Sequence, residues 1–445
     1  MNEEEHNPVP DAIPPTVVFA EPNENVILYE GPYQMKQYGR TLEVVGQLRF
    51  VWFPMIKIIF SGTVIGGGEA NLNHLEELEL LIDGVVIGTG LLYHRNLPYE
   101  DRPYTFEGHS FHCTIGDATA PVRAIQFMLP NMRQLYSREI RDTVSGNHQD
   151  GRFFFEDDEY KIIIDKLWNF AELWQLLRTK GGFMLLYSGK LEKKSGLFLL
   201  ADLQDYIFSV ANFLYFMSGQ RTAPLFLEAI RADGTVLLDY PSHNIQIYKL
   251  NGCWSDFQWF DDLSPLWQTF REFWGVKKDR DFLVTVLHWY VEANAGTAYL
   301  EGSIILAQTA LELLFNWFIV ERKGLITKKA AKKNSADDNI RLLLNTIGGR
   351  TDIPLRYNEL LQINDIIDGP HALTRIRNAL VHADENKRVN FLMVVDDQAK
   401  YQALQLARYY IEISLLYIFG YQGPFFNTAF RCNEVVPWAA NTAAI

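Results

Sequence analysis

Apolar and polar positions follow two different rhythms along this 445-residue chain. Between Gly39 and about Pro130 they alternate, with many β-branched residues, as in RFVWFPMIKIIFSGTVIG; this is the period-two pattern of half-buried strands. ELELLIDGVVIGTGLLYH carries the same alternation across Asp83-Gly84, a two-residue hairpin turn. Ser145 to Gly151 (SGNHQDG) is the clearest linker-like break. Beyond it the pattern predicts strands near Phe153 to Phe155 and Tyr160 to Ile164, a helix around Leu167 to Leu177 and a strand at Phe183 to Gly189. A helix from Leu203 to Met217 and strands around Leu225 to Ala229, Thr235 to Tyr240 and Ile245 to Leu250 follow. From Ser264 onward the helical period takes over, with helices expected at about 264–275, 281–294, 299–321, 338–346, 354–366, 370–382 and 397–419.

These rhythms imply an α+β chain: a β-rich N-terminal region, a mixed α/β middle region and an all-α C-terminal helical bundle. The expected divisions are a proline- and acid-rich loose extension over 1–25, a β-rich domain over 26–145 and a mixed domain over 146–280, able to form one unit with 26–145. A helical domain over 281–430 and a tail over 431–445 complete the chain. There is no internal repeat and no low-complexity tract.

With 48% hydrophobic and 13% aromatic residues, the chain can bury large cores. Three scattered cysteines make no disulfide framework, and the acidic start MNEEEHNPVP lacks the basic and apolar regions of a signal peptide, so a cytoplasmic location is expected. The most membrane-like stretch, Gly302 to Val320, bears Gln308, Glu312 and Asn316 at four-residue intervals, the mark of a helix with one polar stripe and not of a span. The net charge of −13 argues against broad attraction to nucleic acid. Residues 281–445, with 16 Lys+Arg against 17 Asp+Glu, account for only −1 of it. Their one dense basic run is Arg322, Lys323, Lys328, Lys329, Lys332 and Lys333, on an expected loop; a solvated linker is the plainer reading, a phosphate-contacting loop the other.

The stretch richest in candidate chemistry is GPHALTRIRNALVHADENK, which places Arg377, Asn378 and His382 on one short helix. Pro370 suits the first helical position and Gly369 the cap before it. At about 100° per residue, Arg375, Asn378, Ala379 and His382 share a face, whereas Arg377 lies about 140° from His382. A regular helix cannot aim both at one point. Either the helix loosens before His382, or a working site combines two copies of the chain about a two-fold axis.

Arg377-Asn378 with His382 resembles the signature of the HEPN ribonucleases, an arginine with a polar neighbour followed after several residues by histidine. YLEGSIILAQTALELLFNWFI (299–319) looks like the long first helix of the ApeA-like branch of that superfamily, and ARYYIEISLLYIFGYQG (407–423) like its closing helix. SVANFLYFMSGQRTAP (209–224) is more weakly similar to the segment preceding the domain. The resemblance covers roughly residues 281–430 and implies an all-α HEPN helical bundle that dimerises around its nuclease site. It further implies anti-phage defence by abortive infection, structured RNA such as tRNA as target, and the front of the chain as sensor of a phage-derived trigger or as restraint.

The residue types suit that chemistry. RNA supplies its own nucleophile, so a side chain that takes the 2′-proton and one that protonates the departing 5′-oxygen are enough, without a metal or other cofactor. His382 titrates near neutral pH, Arg377 offers a fork of donors to the scissile phosphate, Asn378 can orient imidazole or ribose, and Arg375 can steady an adjacent phosphate. The expected activity is a metal-independent endoribonuclease acting on RNA as a homodimer, away from membranes. The alternative is a catalytically silent HEPN module for dimerisation or ligand binding, with the β-rich front as the working part. A third reading takes Glu159 and Lys161 as an acid-x-Lys metal-dependent nuclease site. His109 with Cys113, the glycines of GTVIGGG (62–68) and Asp261-Asp262 read as structural in preference to metal, phosphate or catalytic sites.

Overall fold

The structure is a computed structural model that describes residues 9–65, 76–96, 103–231, 236–240, 245–296, 299–381 and 395–439. The chain divides into two compact units. The first comprises Met1–Met132, Arg138–Val210 and Thr222–Tyr248; the second comprises Arg133–Ser137, Ala211–Arg221 and Lys249–Ile445.

The alternating stretch closes into a barrel. Strands β1 (Val26–Gln37), β2 (Arg40–Val51), β3 (Lys57–Val64), β4 (Glu77–Ile82), β5 (Val85–Asn96) and β6 (Thr105–Ser110) pair in the order β1-β2-β3-β6-β5-β4, with β4 back on β1. Every second residue points inward, so Tyr33, Met35, Val44, Leu48, Phe60, Leu80, Leu92 and Phe106 fill the lumen. A Cβ on Gly108 would run into the Phe60 ring, so this glycine makes room for the aromatic plug. The expected turn is present: Asp83 and Gly84 both have positive φ, 49° and 76°, which joins β4 to β5 with the twist a hairpin needs.

The rest of the first unit is an eight-stranded antiparallel sheet. It contains β7 (Cys113–Ile115), β8 (Val122–Pro130), β9 (Arg138–Arg141), β10 (His148–Glu156), β11 (Tyr160–Lys166), β12 (Leu185–Lys193), β13 (Leu225–Arg231) and β14 (Val236–Tyr240). Their spatial order is β7-β14-β13-β8-β12-β11-β10-β9, and α1 (Phe170–Lys180) packs on β12. Ser145 to Gly151 begins as the turn between β9 and β10, where the Asp142 N–H donates to the Asn147 carbonyl at 2.9 Å, and ends inside β10. Residues 10–13 are tied to this sheet. The Ile13 N–H donates to Asp165 Oδ2 at 2.8 Å, and Arg152 grips the same fully buried carboxylate with two bonds of 2.8 and 2.7 Å. A buried carboxylate needs such partners, and the N-terminal segment supplies one of them. Ile245 to Leu250, expected as a strand, belongs to no strand; its backbone bonds to the Gly182 carbonyl and the Asn131 side chain instead.

The second unit is mainly helical: α2 (Gln204–Ser218), whose second half belongs here, α3 (Ser264–Gly275), α4 (Lys277–Ala295), α5 (Tyr299–Leu314), α6 (Lys328–Ala331), α7 (Ala336–Ile347), α8 (Asn358–Leu361), α9 (Gly369–Val381) and α10 (Asp397–Ile418). The core is aromatic, with Phe213 edge-on to Trp267 and Phe270, and Phe282 stacked on Trp317 at 4.0 Å. Helix α5 packs on α4, α7, α9 and α10. It runs on over Phe315–Arg322 as a π-helix, which shifts the register of the expected four-residue polar stripe. Tyr299–Arg322 is the one helix among the described residues long and apolar enough to cross a membrane, and 67% of its most apolar window is buried inside the protein.

The expected all-α C-terminal bundle is corrected by the structure. After α10 the chain forms a hairpin of β15 (Pro424–Asn427) and β16 (Cys432–Val435). Gly420 at φ 68° releases the helix, and Asn427 Oδ1 accepts from the backbone of Ala429 and Phe430 to fold the turn. Two four-residue strands are too short to impose a visible alternation. The helix expected over 354–366 is likewise only the single turn α8, broken before Asp365 at φ 63°.

Candidate functional site

Helix α9 owes its position to Asp368. That carboxylate caps the helix, accepting from the His371 N–H at 2.9 Å, and is held by Arg341 of α7 through Nε at 2.7 Å and Nη2 at 3.1 Å. The cap is thus Asp368 and not Gly369, which lies one residue inside, where a Cβ would strike the Tyr410 hydroxyl. Ala372, Leu373, Ile376 and Ala379 are buried, and α9 packs on α5, α7 and α10.

The polar residues of α9 fall into two sets. His371, Arg375 and Asn378 recur at helical spacing on one half-buried stripe. The His371 Nδ1 accepts from the Ile367 N–H at 3.2 Å, and Arg375 Nη1 donates to the Asn364 carbonyl at 2.9 Å. His371 is an imidazole that the sequence reading passed over; its spacing of four from Arg375 and seven from Asn378 was the available signal. Arg377 stands apart. Its one hydrogen bond among the described residues is from Nη1 to Asn378 Oδ1 at 3.3 Å, and its Nε is buried without a partner. His382 follows Val381 directly and lies outside the described residues, together with 383–394.

Arg377 shares its lack of a carboxylate partner among the described residues with the buried Arg408, whose Nε is likewise unpartnered. Other half-buried or buried arginines, Arg133, Arg152, Arg221 and Arg341, each face an acid. Ser303 Oγ and Gln308 Oε1 on α5, and Thr374 Oγ1 and Arg377 Nε on α9, are buried without a partner among the described residues. Buried polar atoms are normally satisfied, by water where the protein supplies no partner, and these helices pack together.

The other constellations resolve into structure. Glu156 to Lys161 is the β10–β11 turn, in which the Asp157 side chain accepts from the backbone of Glu159 and Tyr160 and the Lys161 ammonium lies over the Phe154 ring. His109 is on β6 between the Tyr93 and Phe111 rings, while Cys113 is on β7 in the other sheet. Burial, with Lys57 nearby, lowers the pKa of His109. No group of three His, Cys, Asp or Glu able to hold a metal occurs among the described residues. Asp262 Oδ1 accepts from the Ser264 N–H at the start of α3. In GTVIGGG, Gly62 lies in β3, and residues 66–68 are outside the described set.

One site left no mark in the sequence reading. Glu412 of α10 is 1% exposed; it accepts from the Tyr290 hydroxyl at 2.7 Å and from Thr428 Oγ1 at 3.3 Å. Cys253 Sγ is 3.5 Å from the same hydroxyl, Arg408 donates to the Gly252 carbonyl, and Arg133 pairs with Asp256. Burial pushes the Glu412 carboxyl up to about 7 against the opposing pull of Arg408, Tyr290 and Arg133. The signal was an acid alone in the apolar run YYIEISLLYI.

Comparison with known proteins finds similarity for two segments and over most of the chain. Residues 276–437 match the family model described as the YopA C-terminal domain, and residues 117–251 match the YopA central domain. The chain is also similar to the SPbeta prophage-derived uncharacterized protein YopA of Bacillus subtilis (strain 168), at 24% identity over 450 residues, 94% of this chain and 95% of the relative. No solved structure matches. The C-terminal match contains α4 to α10 and the closing hairpin, and therefore every residue of the α9 site.

Proposed function

We propose that this chain is a metal-independent endoribonuclease of the HEPN type, working as a homodimer in the cytoplasm on structured RNA such as tRNA. The observation that supports it best is Arg377, a half-buried guanidinium whose one hydrogen bond among the described residues is to Asn378 and whose Nε is buried without a partner there. A guanidinium with no carboxylate partner among the described residues is suited to receiving an anion, and a phosphodiester is the anion that fits a fork of donors.

In the proposed reaction the RNA 2′-oxygen attacks the adjacent phosphorus and the bond to the 5′-oxygen breaks, leaving a 2′,3′-cyclic phosphate and a 5′-hydroxyl. Arg377 holds the non-bridging oxygens as charge grows on them, Asn378 orients the reacting groups, and Arg375 steadies a neighbouring phosphate. His382 exchanges the protons; because one imidazole serves poorly as both base and acid in one turnover, the second comes from the other copy. The setting we propose is anti-phage defence by abortive infection, set off by a phage-derived trigger sensed by the β-rich front of the chain. A relative whose name marks it as prophage-derived is in keeping with competition between phages.

The test is to incubate the full chain, Arg377→Ala and His382→Ala with tRNA and total RNA in EDTA, with and without lysate of phage-infected cells. Cleavage by the parent alone, with cyclic-phosphate ends and none at a 2′-deoxy cut site, is expected. Intact RNA under every condition would leave the silent dimerisation module as the better reading, and cleavage restored only by divalent metal would reject the mechanism.

A further inference from the structure

His109 stands in the middle of an aromatic strip on the outside of the barrel. The strand register explains its placement. Ile59 of β3 and Leu91 of β5 face His109 from either side, and all three alternate with the buried Ile58, Phe60, Leu92 and Ser110, so they point outward. The β5–β6 ladder slips between Leu92 and His94, and Tyr93, the extra residue of that bulge, is 41% exposed. Phe111, directly after β6, is 45% exposed. The three rings form one run, with 5.8 Å between the centroids of Tyr93 and His109 and 5.4 Å between those of His109 and Phe111.

Cations border the strip. Lys57 of β3 lies over the Tyr93 ring at 5.1 Å and has no ion pair among the described residues. Arg49 of β2 reaches Glu107 at 3.7 Å, and the Tyr93 hydroxyl donates to the same carboxylate. Among these side chains two cations therefore stand against one carboxylate, which is already engaged on both sides. Burial, with Lys57 nearby, lowers the His109 pKa, so near neutral pH its imidazole is uncharged and belongs with the rings. Large rings held side by side in water mark an interaction surface, and the cations beside them say what it takes.

We infer that this face of the barrel binds single-stranded nucleic acid. Bases stack on the exposed Phe111 and Tyr93 rings, the His109 imidazole continues the apolar surface between them, and Lys57 and Arg49 meet the phosphates. The strand must be unpaired, because a duplex keeps its base faces stacked on one another. A bare polyanion has no use for the rings, and an apolar partner has none for Lys57; the combination selects bases joined by phosphates. Stacking and phosphate contact read no base edge, so the binding is indifferent to sequence. The surface lies wholly in the first unit and stands whether or not α9 cleaves RNA.

Fluorescence anisotropy of a labelled oligodeoxythymidine about twelve nucleotides long, titrated with the full chain, tests this. That probe lacks the 2′-hydroxyl, so a ribonuclease cannot consume it. Saturable binding is expected, with a duplex of the same length and inorganic polyphosphate each on the order of tenfold weaker or worse. Phe111→Leu and Tyr93→Leu keep apolar bulk but remove a ring, and each should weaken the oligonucleotide on the order of tenfold; Lys57→Gln should weaken it less and flatten its salt dependence. Trp259→Leu, at an exposed ring of the second unit, and Arg377→Ala should leave the affinity unchanged, and melting curves that match the parent's would show that each variant folds. Absence of saturable binding at low salt, duplex or polyphosphate bound as tightly as the oligonucleotide, or an affinity indifferent to both ring substitutions would each overturn the inference.

Discussion

Glu412→Gln isolates the free energy of one buried carboxyl. The group is fully enclosed, and its pKa rises from the ordinary 4.5 to about 7, first because of burial and in spite of Arg408, Tyr290 and Arg133. Keeping it ionised inside the fold therefore costs about 3 kcal/mol. The sign follows from proton uptake. Between pH 4.5 and about 7 the folded state binds the proton more tightly than the unfolded chain, so its stability falls as pH rises through that window and levels off above it. Glutamine keeps the shape, carries no charge in either state, and its amide can donate to Thr428 Oγ1 where a protonated carboxyl would. Thermal melts of parent and variant at pH 5, 6, 7 and 8, at matched ionic strength, should start nearly together and diverge. By pH 8 the variant should gain about 3 kcal/mol on the parent relative to pH 5, roughly 6–12 °C for a unit of this size. Parallel melting profiles across that range would refute the reasoning and show that Glu412 stays charged throughout.

Three further outcomes are expected. Arg377→Lys keeps the charge but loses the planar fork, so RNA cleavage should fall on the order of a hundredfold with an unchanged melting temperature, read by gel analysis of tRNA products. Asp368→Ala removes both the α9 cap and the Arg341 pair and should cost about 2 kcal/mol, seen as a lower melting temperature together with loss of cleavage as α9 shifts. Gly108→Ala forces a methyl into the Phe60 ring inside the barrel and should destabilise the first unit by about 1–3 kcal/mol in urea unfolding; a neutral result would mean the plug is loosely packed.

Element type was legible wherever a side-chain period was sustained. The alternation in β1 to β3, the Asp83-Gly84 turn and the long apolar helices α5 and α10 are written in local spacing, and α9 was expected to within a residue or two of its bounds. Short elements were not. The β15–β16 hairpin holds four residues per strand, and α8 is one turn in a segment that reads as three. Neither offers enough positions for a period to emerge. Within the candidate site, residue types and their order along α9 were readable, whereas the lack of an acid facing Arg377 among the described residues was not, because a missing partner is a property of neighbours distant in sequence.

Sequence alone determined the two halves of the chain, a strand-rich front and a helix-rich back, because period-two and period-3.6 burial are set by each residue's own chemistry. It also fixed the set of groups on α9. Tertiary structure decided the rest: that six strands close on themselves, that Glu412 is sealed beneath Tyr290 and Thr428, that Tyr93, His109 and Phe111 form one strip on the barrel, and that Arg377 meets no carboxylate among the described residues. Each of these depends on which remote surfaces exclude water from one another, and no local pattern encodes that.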